Sequence, residues 1–182
     1  MDALTRATLG GVFAAAALTG SAFAHVVFTV RQAPAGAHWT GALHVGHGCS
    51  GSATTALRVE IPAAVPDAKP QPKPGWTLEA EREPLPAPVR GEGGRTMTSR
   101  LKAVTWRGRL PDDQFDEFGL AATLPGQAGV LVFPVVQTCD QGEARWTEPP
   151  APAGAPRPPN PAPTLTLTPA AAAMPPAMHM DH

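Results

Sequence analysis

Thr54-Thr-Ala-Leu-Arg-Val-Glu-Ile61 decides how this chain folds. Leu57, Val59 and Ile61 alternate with Ala56, Arg58 and Glu60, a period of two that puts apolar side chains on one face of a strand and polar ones on the other. A strand with one wet face belongs to an antiparallel sheet packed on one side only. Outward from it the same texture recurs. Candidate strands are Val26–Val30, Trp39–Val45, Trp76–Arg82, Leu101–Arg107, Phe118–Leu124, Val130–Thr138 and Ala144–Thr147, separated by turn signals such as Pro34-Ala-Gly36, Pro111-Asp-Asp113 and Pro125-Gly126. No helical period is sustained between them, which argues against βαβ units. The expected fold is all-β, an immunoglobulin-like or cupredoxin-like antiparallel β-sandwich with Greek-key connections.

The segments flanking this core read differently. Residues 1–24 carry Arg6, an Ala-rich apolar run from Leu9 to Leu18 and the triplet Ala22-Phe23-Ala24, the features of a secretory signal peptide cut between Ala24 and His25. The apolar run is shorter than the roughly 18 residues a membrane span needs, and no later stretch approaches that length. The expectation is a periplasmic protein with no membrane span in the mature chain. From Pro149 to Pro176 the chain holds eleven prolines and almost no charge, which predicts a disordered, polyproline-like spacer over 149–182 and a domain confined to 25–148. The spacer ends in Met174-Pro-Pro-Ala-Met178-His179-Met180-Asp181-His182, where three of the four non-initiator methionines gather.

Formal net charge is −1, so the electrostatic footprint of a nucleic-acid binder is missing. Two cysteines, Cys49 and Cys139, lie far apart in a chain marked for an oxidising compartment, and there such a pair defaults to a disulfide.

Cleavage after Ala24 would make His25 the first residue and give it two ligands, the α-amine and ring Nδ1. Such a histidine brace suits Cu(II), which heads the divalent affinity order for nitrogen donors; a polar residue left by the peptidase is the ordinary alternative. A third ligand is available among Asp112, Asp113, Asp116 and Glu117. The first two fit a solvated turn, whereas Glu117 lies between Phe115 and Phe118 at the mouth of an apolar strand, where a carboxylate wants a partner. His38 and His44 share strand parity and His47 follows Gly46 in a turn; these read as structural histidines, with His47 retained as a group behind the ligands. Trp146 either closes the core or caps a metal with its ring face.

Taken together the segments resemble the YcnI-like family of exported copper-binding proteins. The resemblance runs from about His25 to Glu148. It rests on Ala24-His-Val26, Gly46-His-Gly-Cys-Ser-Gly-Ser52, Thr54–Val59 with Ile61-Pro62, and Lys73-Pro-Gly-Trp76. It continues through Leu110-Pro-Asp-Asp113, Asp116-Glu-Phe-Gly-Leu120, Phe133-Pro-Val-Val-Gln137 with Cys139, and Arg145-Trp146. It implies a cupredoxin-like sandwich that holds Cu(II) in a brace with a single histidine, His25, with Glu117 as carboxylate ligand and Trp146 nearby. It implies a role in copper acquisition, delivery or homeostasis beside a membrane copper transporter or a periplasmic copper chaperone, and no enzymatic activity comes with it. The tail departs from the minimal domain. Its Met174, Met178, His179, Met180 and His182 form a candidate soft site selective for Cu(I).

Two other functions stay open at this level. A histidine-brace copper oxidase or monooxygenase would use the same terminus, but a sugar-binding aromatic platform is hard to build with 5% aromatics and no Tyr. A structural sandwich that binds no metal is the other.

Overall fold

The computed structural model describes residues 25–170. Twelve strands and a single 3-10 turn build it: β1 (Val27–Phe28), β2 (Gln32–Pro34), β3 (His38–Val45), β4 (Thr54–Glu60), β5 (Lys69–Pro70), β6 (Thr77–Arg90), β7 (Thr96–Leu110), β8 (Asp116–Thr123), β9 (Gly129–Val132), β10 (Val135–Cys139), β11 (Glu143–Trp146) and β12 (Thr164–Thr168). They form a four-stranded sheet β1-β3-β8-β5, a five-stranded sheet β11-β10-β4-β7-β6 and a three-stranded sheet β2-β12-β9. All pairings are antiparallel except that of β12 with β2. The all-β sandwich read from the alternation is the fold observed.

The alternation in Thr54–Ile61 holds from Leu57 onward, with Arg58 and Glu60 outward, whereas Ala56 and Thr54, expected on the wet face, are buried where the β4–β7 register shifts. Leu57, Val59 and Ile61 are buried in one apolar cluster with Leu43 and Phe118 of the first sheet, Val104, Trp106 and Val135 of the second, and Leu131 and Leu165 of the third. Each sheet therefore contributes an inner face to the same core. Burying a Leu or Val side chain stabilises by about 1.5–3 kcal/mol, which ties strand identity to this pattern.

Val130–Thr138, expected as one strand, is two. Pro134 has no N–H to donate and interrupts the ladder; β9 pairs with β12 and β10 with β4. The chain changes sheets at Phe133-Pro134, with the Phe133 N–H donating to the Pro163 carbonyl and the Pro134 carbonyl accepting from the Glu60 N–H. The hairpin β6–β7 is longer than the expected Trp76–Arg82 and Leu101–Arg107, and its register shifts between Pro84 and Val89. β6 is an edge strand, the one sheet position that tolerates Pro84, Pro86 and Pro88.

The expected disordered spacer from residue 149, and with it the domain end at Glu148, must be corrected through residue 170. Thr164-Leu-Thr-Leu-Thr168 is itself an alternating β-branched segment, and it inserts between β2 and β9. Leu165 and Leu167 point into the core. Proline density masked this because the polyproline reading averages over the segment, whereas a strand needs only five residues free of proline. The Met/His cluster Met174–His182, like residues 1–24, lies outside the described residues.

If β12 is integral to the core, Leu165→Ala should destabilise the domain by about 2–5 kcal/mol, measured by urea denaturation. Removal of residues 149–182 should abolish cooperative unfolding, and a truncated chain that still melts cooperatively would return the segment to spacer status.

Candidate metal centre

His25 precedes β1, and its place follows from its neighbours. Val26 and Phe28 are buried, so the alternation turns His25 and Val27 outward. The His25 ring lies against Trp146, with centroids 5.5 Å apart and planes tilted by 49°. β1 and β11 edge different sheets, so this contact joins the two sheets at their rims.

Trp146 is itself held. Its ring is buried and its Nε1–H donates to Gln137 Oε1 at 3.3 Å. Gln137, 1% exposed, donates from Nε2 to the His47 carbonyl and to Thr54 Oγ1, both at 2.7 Å. A buried amide with all of these partners fixes what it touches, because each lost bond would leave a polar group without water. The expected disulfide links Cys49 and Cys139 with Cα atoms 5.9 Å apart, and Cys139 Sγ lies beside Thr54 Oγ1. A role for Gln137 is not legible in the motif Phe133–Gln137 alone; the signal is a glutamine amid Val135, Val136 and the apolar β10 pattern.

The acids separate. Asp112 Oδ1 accepts from the Gly48 N–H at 3.0 Å, which fixes the turn leading to Cys49. Asp116 pairs with Lys73, whose ammonium also donates to the Glu117 carbonyl. Asp113 is exposed. Glu117 stands in register with His44 of β3, its Oε1 3.9 Å from His44 Nδ1. Phe115, 68% exposed, lies over the His44 ring at 5.4 Å.

The histidines of β3 also separate. His38 sits beside Thr123 Oγ1 at 3.4 Å. Six residues of extended chain put it roughly 20 Å from His44, so these two cannot share an ion. His47 serves through its backbone carbonyl, as the Gln137 acceptor.

Thus the structure brings His25 to Trp146 and Glu117 to His44. The row Val27–His44–Glu117 crosses β1, β3 and β8 by direct register, and continuing the β1–β3 register by two residues sets His25 across from Gly46. Among the described residues no three His, Cys, Asp or Glu side chains gather into a metal cluster. The donor types nonetheless fit a brace: an imidazole tilted against a tryptophan ring, and a half-exposed carboxylate whose neighbour Lys73 is engaged by Asp116. The proline-rich segment after Glu148 adds a wall. A cleft of about 630 Å³ opens beside His25, lined among others by Phe28, Arg31, Pro152, Arg157 and Pro161.

A family model described as "Domain of unknown function (DUF1775)" matches residues 25–167, from the histidine of the candidate site to the strand that closes the sheet. No protein of curated function matches the chain. Among solved structures, an uncharacterized protein from Nocardia farcinica, reported to have an immunoglobulin-like fold, is similar at 30% identity and a TM-score of 0.59, covering 79% of this chain and 97% of that one.

Gln137→Ala should leave the Trp146 N–H and the His47 carbonyl without partners. At about 1–3 kcal/mol for each buried group left unsatisfied, the expected loss is at least about 2 kcal/mol in urea denaturation. Breaking the disulfide, which closes a loop of sequence separation 90, should cost about 4–5 kcal/mol on the chain-entropy account, read as the difference between oxidised and reduced protein.

Proposed function

We propose that this chain, which belongs to the DUF1775 family, is an exported copper-binding protein that holds Cu(II) through His25 and Glu117 beside Trp146. The observation that carries the reading is the contact of the His25 ring with the anchored Trp146 ring at 5.5 Å, at the residue where the family match begins. Three further points support it. The leader 1–24 ends in a cleavage signal directly before His25. The segments Gly46–Ser52, Asp116–Leu120 and Arg145-Trp146 resemble those of the YcnI-like copper proteins. Glu117 lies two strands from β1 on the outward face of the same sheet.

When bound, copper would supply a charge exchangeable between carriers. The chain supplies the rest. His25 offers ring Nδ1 and, after cleavage, an α-amine, nitrogen donors suited to Cu(II); Glu117 adds an anionic oxygen that offsets the ion's charge. Trp146 limits water on one side and presents a π face to a cation. Gln137 fixes that ring. The setting proposed is the periplasm, the role copper acquisition, delivery or homeostasis without turnover, and the partner a membrane copper transporter or a copper chaperone. The Met174–His182 cluster is proposed as a separate Cu(I) site, because thioether sulfur is a soft donor.

The chain terminus is the decisive test. One glycine added before His25 turns its amine into an amide and removes the chelate, so Cu(II) affinity should fall at least about tenfold, or roughly 1.4 kcal/mol, with apo-protein melting unchanged. An α-amine ordinarily titrates near pH 7.7–8.0 and must lose its proton to ligate, so native binding should weaken as pH falls below about 7.7, and the extended form should lack that component. Equal affinity with and without the glycine defeats the brace. Glu117→Gln should weaken Cu(II) binding at neutral pH without loss of fold, and deletion of Met174–His182 should remove Cu(I) capacity while sparing Cu(II); both are read by competitive titration.

A further inference from the structure

We infer that the cleft beside His25 is a binding site for a small organic anion carrying two or more carboxylates, held by Arg31 and Arg157. The inference goes beyond the copper reading and does not depend on it. The cleft measures about 630 Å³, within the roughly 300–1,000 Å³ of small-molecule sites. Two arginines line it, and no aspartate or glutamate does. The chain as a whole carries a formal net charge of −1, so this positive cleft is not the by-product of a basic protein. A cleft walled by one sign of charge concentrates ligands of the other.

Both guanidinium groups are uncommitted while their backbones are held. Arg58, Arg100, Arg107, Arg109 and Arg145 each reach a carboxylate. Among the described residues the exposed side chains of Arg31 and Arg157 make no hydrogen bond or ion pair. What sets these two apart from the other unpaired arginines, Arg82, Arg90 and Arg95 of the β6–β7 hairpin, is that two distant segments bring them to one cleft. The Arg31 carbonyl accepts from the Thr166 N–H of β12 at 2.9 Å. Arg157 is the single charged residue between Pro149 and Ala170, and it stands between Pro156 and Pro158, whose rings restrict the backbone on each side. The turn before it is closed by the Ala155 N–H on the Pro152 carbonyl, and the stretch after it by the Asn160 N–H on Glu148 Oε2. The walls decide the class of anion. A phosphate is ordinarily cradled by several backbone N–H groups, and five of the lining residues are prolines, which have none to give. Two planar guanidinium forks instead suit two separate carboxylates, each gripped side-on, with the carbon skeleton between them laid against proline rings and Phe28.

The test is calorimetric titration of the metal-free mature full chain with citrate as the probe, at neutral pH and low salt. One-to-one binding is expected. Arg31→Gln and Arg157→Gln should each weaken it at least about tenfold, the scale of a lost charged hydrogen bond, with melting unchanged because both positions are exposed. Acetate, with one carboxylate, and inorganic phosphate should each bind at least about tenfold more weakly than citrate, since neither spans both forks. In amide NMR spectra of the native protein, citrate should shift Val27, Arg31 and Thr164, which line the cleft; this readout needs no variant. Absence of saturable citrate binding in the millimolar range, unchanged affinity in both variants, or shifts confined to other residues overturns the site. Phosphate binding as tight as that of citrate overturns the carboxylate class. Copper is absent throughout, so none of these results bears on the His25 and Glu117 reading, whose own failure is read from the glycine extension.

Discussion

A buried amide in a sandwich core must find a partner for each of its polar atoms, and Gln137 meets that requirement by tying together parts of the chain that sequence leaves far apart. Its two donors hold the His47 carbonyl and the Thr54 hydroxyl, and its oxygen holds the Trp146 indole. The turn before Cys49, the first residue of β4 and the end of β11 are thereby fixed to one residue of β10. The disulfide closes the same corner. An ion pair at the surface would leave the three elements free to drift, because solvent screens it; an amide with less than 2% exposure does not.

That fixed corner is where the sheets' rims approach, and the candidate metal centre grows from it. Trp146 is positioned by Gln137, and His25 is positioned against Trp146. Glu117 and His44 belong to a different constraint, the β3–β8 ladder, which spaces them by register. The centre thus joins one edge set by a buried hydrogen-bond network to one face set by strand pairing. Strand pairing holds Glu117, and the Trp146 contact holds the His25 ring. A site of this kind loses little conformational entropy on taking up an ion.

The proline-rich segment after Glu148 shows how composition and structure diverge. Eight of its residues from Pro149 to Pro163 are proline, and proline both lacks a donor and favours extended backbone. In isolation that describes a spacer. Here the extended backbone runs back along the domain, pairs at Glu148 with Pro161, walls the cleft beside His25 and delivers Thr164–Thr168 to a gap between β2 and β9. The gap exists only because β9 leaves the strand it would otherwise continue at Pro134.

What the sequence determined by itself is local in origin. Period-two alternation in Thr54–Ile61 and its counterparts set the fold class, because the face a side chain occupies depends only on parity. The cysteine pair followed from the compartment that the leader implies, and the segments around His25, Glu117 and Trp146 carried the resemblance. Tertiary structure alone decided the rest, since those outcomes depend on which strands meet. Parity could not say that His44 stands opposite Glu117 while His38, on the same face, lies against Thr123. Spacing could not say that Gln137 reaches Trp146 or that Thr164–Thr168 completes a sheet. Register between distant segments is fixed by the competition of all apolar faces for one core, and that competition is a property of the whole chain.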